Sequence, residues 1–106
     1  MTSTARSPFI LQTAPSARTI ALSLLVESVK SEEGVDVLLD CALARCAFDN
    51  RERALTMDLT YGVLRRRATI DWRLEPELDK PLSRLPVVIQ MLLRLGTYQL
   101  LFLDRI

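Results

Sequence analysis

Apolar residues recur every three or four positions through most of this 106-residue chain, and this spacing is the strongest constraint on its fold. A period near 3.6 residues places apolar side chains on one face of an α-helix. No segment shows the alternation of apolar and polar residues that is typical of a half-buried strand. The pattern therefore predicts an all-α protein whose amphipathic helices pack their apolar faces together.

The spacing predicts five helices, which cover residues 16–31, 35–47, 50–66, 69–77 and 86–103. Ser16 is a suitable N-cap for the first helix, and Gly34 is expected to end it. Asp49 precedes Glu52 by three residues, the spacing of a capping box at the start of the third helix. Cap signals and apolar periodicity therefore agree on where these helices begin.

Residues 1–15 contain two prolines and no sustained period, so we expect them to form a flexible N-terminal arm. The remaining length suits a single hydrophobic core. We therefore expect one compact helical bundle of about five helices over residues 16–106.

The third helix carries Gly62 within an apolar stripe, where glycine costs about 1 kcal/mol of helix propensity relative to alanine. A close approach by the backbone of another helix would explain it. This helix is apolar on two flanks and is expected to lie between neighbours. One flank comprises Leu55, Leu59 and Val63, and the other comprises Ala54, Met57, Tyr61 and Leu64.

The fifth helix is apolar around most of its circumference, so we expect it to be the central helix of the bundle. Its narrow polar stripe comprises Gln90, Arg94, Thr97 and Asp104. The segment 86–103 is long enough to cross a bilayer, but a central arginine costs about 2.5–3.5 kcal/mol on insertion. We therefore expect no membrane association and a cytoplasmic protein.

The chain contains no histidine and only two cysteines, which argues against metal binding and histidine-dependent catalysis. Cys41 and Cys46 lie about 140° apart on one predicted helix, so they could not form a disulfide without unwinding it. We interpret both as small buried residues in a reducing compartment. Glu75, Glu77 and Asp79 have no accompanying nucleophile and are expected to be solvated. The chain is therefore not expected to be an enzyme by itself or to bind a cofactor.

Three consecutive arginines, Arg65, Arg66 and Arg67, follow the third apolar stripe in the segment YGVLRRRATIDW. On a straight helix they would point in three directions, and Arg66 would share the face of the buried Val63. The core contact must therefore end before Arg66, or the helix must break there. Two interpretations are open: the arginines stabilise a helix C-terminus structurally, or they contact phosphates.

Charge is segregated along the chain although the net charge is only +1. Residues 31–50 contain five acids and one base, whereas residues 51–73 contain six bases and three acids. A basic helix end can contact phosphates, but each such contact weakens as salt is added. Any RNA binding by this chain alone is therefore expected to be weak.

Two segments, RALTMDLTYGVLRRRATIDWRL at 53–74 and PVVIQMLLRLGTYQLLFLDRI at 86–106, resemble a known family. They are similar to the NusB-like N-terminal domain of the bacterial RsmB (Sun/Fmu) ribosomal RNA cytosine-C5 methyltransferases. The resemblance covers most of residues 16–106. It implies an all-helical NusB fold that helps to engage RNA. In that family a separate Rossmann-like domain binds S-adenosylmethionine and carries the catalytic cysteines, and these 106 residues contain no counterpart of it.

The resemblance also implies a basic segment at the first helix, where this chain offers Arg18. Relatives typically continue past the position of Ile106 into a further helix, so we expect this bundle to lack its final helix. The apolar face of 86–103 would then be covered by another chain, for example in a homodimer. A methyltransferase domain in the same polypeptide is the partner that the family implies.

The favoured hypothesis is an RNA-binding accessory domain of a ribosomal RNA methyltransferase, with ribosomal RNA as its partner. Its first-choice phosphate contacts are Arg65, Arg66 and Arg67, and its second choices are Arg18, Arg51 and Arg53. One alternative is a protein-interaction domain, similar to an antitermination factor, in which the arginines are structural. Another is an inert fragment of a larger enzyme.

Overall fold

The computed structural model describes residues 16–103. Within this range the chain forms five α-helices and two short 3₁₀ turns. The helices are α1 (Ala17–Lys30), α2 (Val35–Arg45), α3 (Asn50–Arg65), α4 (Arg67–Leu74) and α5 (Val87–Phe102). The 3₁₀ turns are Glu75–Glu77 and Leu82–Arg84. No strand occurs in this range, so the all-α prediction is confirmed. The predicted arm at 1–15 lies outside the described residues.

The first helix begins as its cap signal predicts. The Ser16 hydroxyl accepts a hydrogen bond from the Thr19 backbone N–H, and the Thr19 hydroxyl accepts one from the Ser16 N–H. Gly34 does not end this helix, because the C-cap is Ser31 in an extended conformation. Gly34 instead takes the N-cap position of α2.

The third helix begins at its predicted N-cap, Asp49, but the Glu52 side chain does not complete the predicted capping box. Asp49 accepts a hydrogen bond of 2.9 Å from the Glu52 N–H, as expected of an N-cap. The Glu52 carboxylate accepts from the Ala17 N–H at 3.2 Å. Glu52 thereby satisfies one of the unpaired N–H groups in the first turn of α1 and ties the starts of α1 and α3 together.

Two apolar clusters form the core, and α1 contributes to both. The second cluster joins Ile20 and Leu24 of α1 to Leu39 and Leu43 of α2. The main cluster joins α1, α3, α4 and α5 through the buried residues Ala17, Ala21, Leu25, Leu59, Val63, Ile70, Met91, Leu95 and Tyr98. The helix shared between the two clusters is therefore α1.

The fifth helix packs against α1, α3 and α4, but the prediction that it is a buried central helix is wrong. Ile89, Leu92 and Leu100 are 40%, 47% and 82% exposed. These positions follow one another at helical spacing and define an outward apolar face of α5. The helix therefore forms one side of the bundle.

The predicted second apolar flank of α3 is also largely solvated. Ala54 and Met57 are exposed, and Tyr61 and Leu64 are half-buried. The opposite surface of α3 instead buries two polar residues that the apolar pattern does not identify. The hydroxyls of Thr56 and Thr60 donate to the carbonyls four residues earlier, each at 2.8 Å, so their burial leaves no hydroxyl unsatisfied.

The helical spacing assigns Arg94 to a polar stripe on α5, but its side chain is buried between helices. The residue is 3% exposed. Its Nε donates to Asp71 Oδ1 at 2.8 Å and its Nη2 donates to Asp71 Oδ2 at 3.0 Å. This bidentate ion pair joins α5 to α4. Asp104, at the end of the predicted stripe, lies outside the described residues.

The prediction that both cysteines are buried is wrong for Cys41, which is exposed, and Cys46 is half-buried. α2 buries only Leu39 and Leu43, and Cys41 lies about 200° around the helix from each of them. Among residues 16–103, no helix combines the length and the apolar character needed to cross a bilayer.

The close approach predicted at Gly62 occurs, but the approaching group is a side chain and not the predicted backbone. The ring of Tyr98 on α5 lies against Gly62 on α3. A Cβ at position 62 would lie 2.6 Å from Tyr98 Cε1 and closer still to Cζ and Oη. Only glycine therefore allows α3 and α5 to pack at this distance.

Candidate nucleic-acid interface

The arginine run coincides with a break between two helices. α3 ends at Arg65, Arg66 adopts a non-helical conformation (φ −108°, ψ 21°), and α4 begins at Arg67. The Arg66 N–H still donates to the Gly62 carbonyl at 3.0 Å, and its own carbonyl accepts from Ile70 at 2.9 Å. Of the two alternatives that the position of Arg66 leaves open, the structure shows the helix break, and all three arginines are exposed.

The three guanidinium groups have different surroundings. The Arg67 Nε lies 3.8 Å from Asp71 Oδ2, in a pair whose arginine side chain is 57% exposed. The Arg66 Cζ lies 4.3 Å from the centroid of the Phe102 ring, in a cation–π contact that consumes none of its N–H donors. Within residues 16–103, neither Arg65 nor Arg66 has a carboxylate oxygen within 4.0 Å. Among the described residues, Arg65 and Arg66 therefore carry positive charge that no carboxylate pairs.

Arg18 lies close to this cluster through the end of α5. Its Nε donates to Gln99 Oε1 at 2.7 Å. Gln99 lies three residues before Phe102, the residue under Arg66, so both contacts occur on neighbouring positions of one helix. The C-terminal turn of α5 therefore lies between Arg18 of α1 and the arginines that follow α3.

Arg51 and Arg53 are not part of this cluster. They occupy the first turn of α3, about 18–21 Å before Arg65 along the helix axis at 1.5 Å per residue. The three arginines at 65–67 therefore lie at one end of α3 and Arg51 and Arg53 at the other. The backbone of Arg18 follows Ala17, whose N–H contacts Glu52 at the start of α3, while its side chain reaches Gln99 on α5.

A neutral phenol lies beneath the cluster. Tyr98 Oη donates to Asp58 Oδ1 at 2.6 Å. Burial, followed by this hydrogen bond and the charge of Asp58, raises the pKa of Tyr98 to about 12, although Arg65 and Arg66 act in the opposite direction. Tyr98 is therefore protonated at neutral pH, and the Asp58 carboxylate accepts a hydrogen bond from a phenol.

Trp72 is a surface residue that does not belong to the set of arginines predicted to bind RNA. It is 74% exposed on α4, whose other face directs Ile70 and Leu74 into the bundle. Trp72 lies two residues from each of them, and therefore about 200° around the helix. This spacing is sufficient to predict its exposure.

No arrangement of catalytic groups is seen in the part of the chain that the structure describes. No group of three or more acidic or cysteine side chains there is placed to hold a metal ion. Glu75, Glu77 and Asp79 lie at the surface, and a Glu75 oxygen accepts a hydrogen bond from the Leu82 N–H at 3.4 Å. Their geometry fits the solvated segment expected from the sequence.

Comparison with known proteins identifies relatives over most of the chain. The NusB family matches residues 15–106. The chain is 33% identical over 91 residues to the probable ribosomal RNA small subunit methyltransferase B of Synechocystis sp., and 34% identical over 91 residues to that of Bacillus subtilis. Each match covers 86% of this chain and 20% of the relative.

A further relative is the ribosomal RNA small subunit methyltransferase B of Thermus thermophilus. It is 38% identical over 82 residues, or 77% of this chain and 20% of the relative. The chain thus spans about one fifth of the length of these relatives, at their N-terminal end. No solved structure matches it significantly.

Proposed function

Because this chain belongs to the NusB family, we propose that it is the RNA-binding accessory domain of a bacterial ribosomal RNA (cytosine-C5) methyltransferase. Its task is to hold RNA while a catalytic domain in the same polypeptide, absent from these 106 residues, transfers the methyl group. The chain itself takes no part in the chemistry, and its place of action is the cytoplasm.

One observation carries this proposal: the helix break at Arg66 exposes three arginines, two of which have no carboxylate partner among residues 16–103. Arginines with a purely structural role at a helix end bond the terminal carbonyls, pair with acids or pack over apolar surface. Arg66 does pack on the Phe102 ring, but this contact uses none of its N–H donors, and Arg67 makes only a long, exposed ion pair. Guanidinium forks held in this way suit phosphate oxygens.

We assign the main phosphate contacts to Arg65, Arg66 and Arg67. Arg18 extends the same surface because Gln99 holds its side chain beside the end of α5. Arg51 and Arg53 form a separate secondary contact that only a longer RNA would reach. The net charge of +1 implies modest affinity in isolation.

The test is fluorescence anisotropy with a labelled single-stranded fragment of small-subunit ribosomal RNA, measured between about 50 and 200 mM salt. The double variant Arg65→Ala/Arg66→Ala should bind more weakly and show a shallower dependence on salt, by about 0.7 in logarithmic slope for each phosphate that the variant no longer neutralises. The double variant Lys80→Ala/Arg84→Ala is the matched control, because it removes the same charge from exposed positions elsewhere. It should retain both the affinity and the slope of the unmodified chain.

A binding curve that neither salt nor the Arg65/Arg66 substitutions change would contradict the proposal. It would favour the second candidate, a protein-docking domain with structural arginines. The outward apolar face of α5, at Ile89, Leu92 and Leu100, is the observation that supports this alternative. Docking through that face should be insensitive to added salt.

A further inference from the structure

Trp72 is the only tryptophan in the chain, and the fold makes little use of its ring. Burying a tryptophan contributes more apolar area than burying most other side chains. α4 nevertheless directs Ile70 and Leu74 inward and leaves Trp72 in solvent. A large exposed aromatic ring on a short, well-anchored helix points to a ligand with a flat apolar surface.

The surface around Trp72 carries small, basic and acidic side chains. Arg73 lines a shallow depression with Trp72, whereas Arg67 begins the same helix about 7.5 Å before Trp72 along the axis and about 140° around it. Both arginines are exposed, as are Ala68 and Thr69, which occupy the turn preceding Trp72. Because those two side chains are small, they leave space for a planar ring beside the indole. Aromatic rings placed among cations are typical of surfaces that bind single-stranded nucleic acid.

We propose that Trp72 stacks on an unpaired base of a single-stranded RNA whose phosphates lie on the arginines at 65–67. This inference rests on the proposed function and specifies its substrate class. A paired base is stacked within its own duplex and offers no free face, whereas an unpaired base can be splayed onto an aromatic side chain. A duplex should therefore gain nothing from Trp72.

Acidic side chains on one side of Trp72 exclude the RNA backbone from that side. Glu75 and Glu77 lie in the 3₁₀ turn that follows α4, and they repel phosphates. Trp72, Arg73, Pro76 and Glu77 line a shallow depression on that side. The backbone therefore runs from Trp72 towards Arg65, away from the acidic turn.

Trp72 supplies its own signal for the test, because a base stacked on indole changes its fluorescence. Short oligo(rA) and the same strand annealed to oligo(rU) are titrated into the chain at low salt, with binding followed independently by anisotropy of a labelled strand. Oligo(rA) should quench the tryptophan emission, and the duplex should quench it much less. Trp72→Ala should weaken single-strand binding roughly 5- to 150-fold, and Trp72→Phe should retain most of the affinity.

Val37→Ala is the matched control, because Val37 is an exposed apolar residue, 47% accessible, on another helix. It should bind oligo(rA) like the unmodified chain. Circular dichroism checks that each variant keeps its helical content, which the exposure of both side chains leads us to expect.

The possible failures are distinguishable. Anisotropy that reports binding without any change in emission, or a Trp72→Ala variant that binds as tightly as the unmodified chain, overturns the stacking inference and leaves the proposed function standing. Equal loss of duplex binding in Trp72→Ala overturns the single-strand preference. Absence of any binding at low salt removes both proposals. Emission that changes with protein concentration alone assigns Trp72 to a protein contact and overturns the inference.

Discussion

At the scale of single residues, Gly62 is the position where sequence and packing agree most directly. Its place in an apolar helical stripe predicts a close contact, and the structure supplies the Tyr98 ring. Gly96 on α5 also lies within a helix, but a Cβ there would meet nothing within 4 Å. Packing therefore requires a glycine at position 62 but not at position 96, although both glycines lie within predicted helices.

Substituting each glycine with alanine tests this difference. Gly62→Ala gains about 1 kcal/mol of helix propensity but forces the Tyr98 ring to move, so we expect a net loss of about 1–2 kcal/mol in the free energy of unfolding. Gly96→Ala should raise it by about 0.5–1 kcal/mol. Urea denaturation measures both values, and a Gly62→Ala variant as stable as Gly96→Ala would disprove the close packing.

The raised pKa of Tyr98 predicts a loss of stability in alkali. The phenol loses its proton near pH 10 in the unfolded chain and near pH 12 in the folded protein. Its stabilising contribution is therefore complete below pH 10, and it falls by roughly 2 kcal/mol as the pH rises to 12.

Tyr98→Phe should show a shallower decline over this pH range when urea unfolding is measured at successive pH values. Tyr61→Phe is the comparison, and it should change the decline less: the hydrogen bond to Asp36 raises the pKa of Tyr61, but this residue is only half-buried. Parallel pH profiles for Tyr98→Phe and the unmodified chain would rule out the burial of the Tyr98 phenol.

The sequence predicts the exposure of a side chain correctly where helical spacing alone determines it. It fails where the side chain is buried by a partner that is distant in the sequence. Helical geometry requires that the core contact ends before Arg66 or that the helix breaks there, and the break is the alternative that occurs. The burial of Arg94 does not follow from helical geometry, because it depends on Asp71, which lies 23 positions earlier on a different helix. The link from Arg18 to the end of α5 through Gln99 likewise joins residues 81 positions apart.

At the scale of elements, four helices begin and end within about two residues of their predicted limits, and α4 is the exception. The sequence predicts it at 69–77, but it occupies Arg67–Leu74 and is followed by a 3₁₀ turn. The break at Arg66 lets a new helix start at once, so α4 begins early. Pro76 has no N–H to bond the carbonyl of Trp72, so the α-helical pattern ends before it.

The connection between α4 and α5 depends on the buried pair of Arg94 and Asp71. Asp71→Asn leaves the Arg94 charge without its counter-ion, and we expect a loss of about 3–5 kcal/mol in the free energy of unfolding. The double variant Asp71→Asn/Arg94→Met removes both charges and should be more stable than the single variant. Thermal and urea unfolding measure the difference.

Arg67→Ala is the control for this prediction, because it removes only the long, exposed contact to the same carboxylate. It should change the stability by less than about 1 kcal/mol. A double variant that is less stable than Asp71→Asn alone would show that Arg94 stabilises the bundle by some other means.

At the scale of the whole molecule, the basic end and the outward apolar face of α5 are two surfaces that the fold leaves available. We expect the apolar face to pair with a second copy at high concentration, since burying one leucine contributes roughly 1.5–3 kcal/mol. Leu92→Lys/Leu100→Lys should keep the chain monomeric in sedimentation velocity experiments. A chain that is monomeric at every concentration without these substitutions would contradict this expectation.

The ring of Tyr98 fills the place of the side chain that Gly62 lacks, so a shift of α3 along α5 would drive this ring into a side chain. The arginines after α3 are thereby held near Gln99 and Phe102 at the end of α5. Under the proposed function, an incoming polyanion meets a surface whose spacing is already set, and little ordering entropy is lost on association. We expect modest charge to suffice for a defined docking orientation.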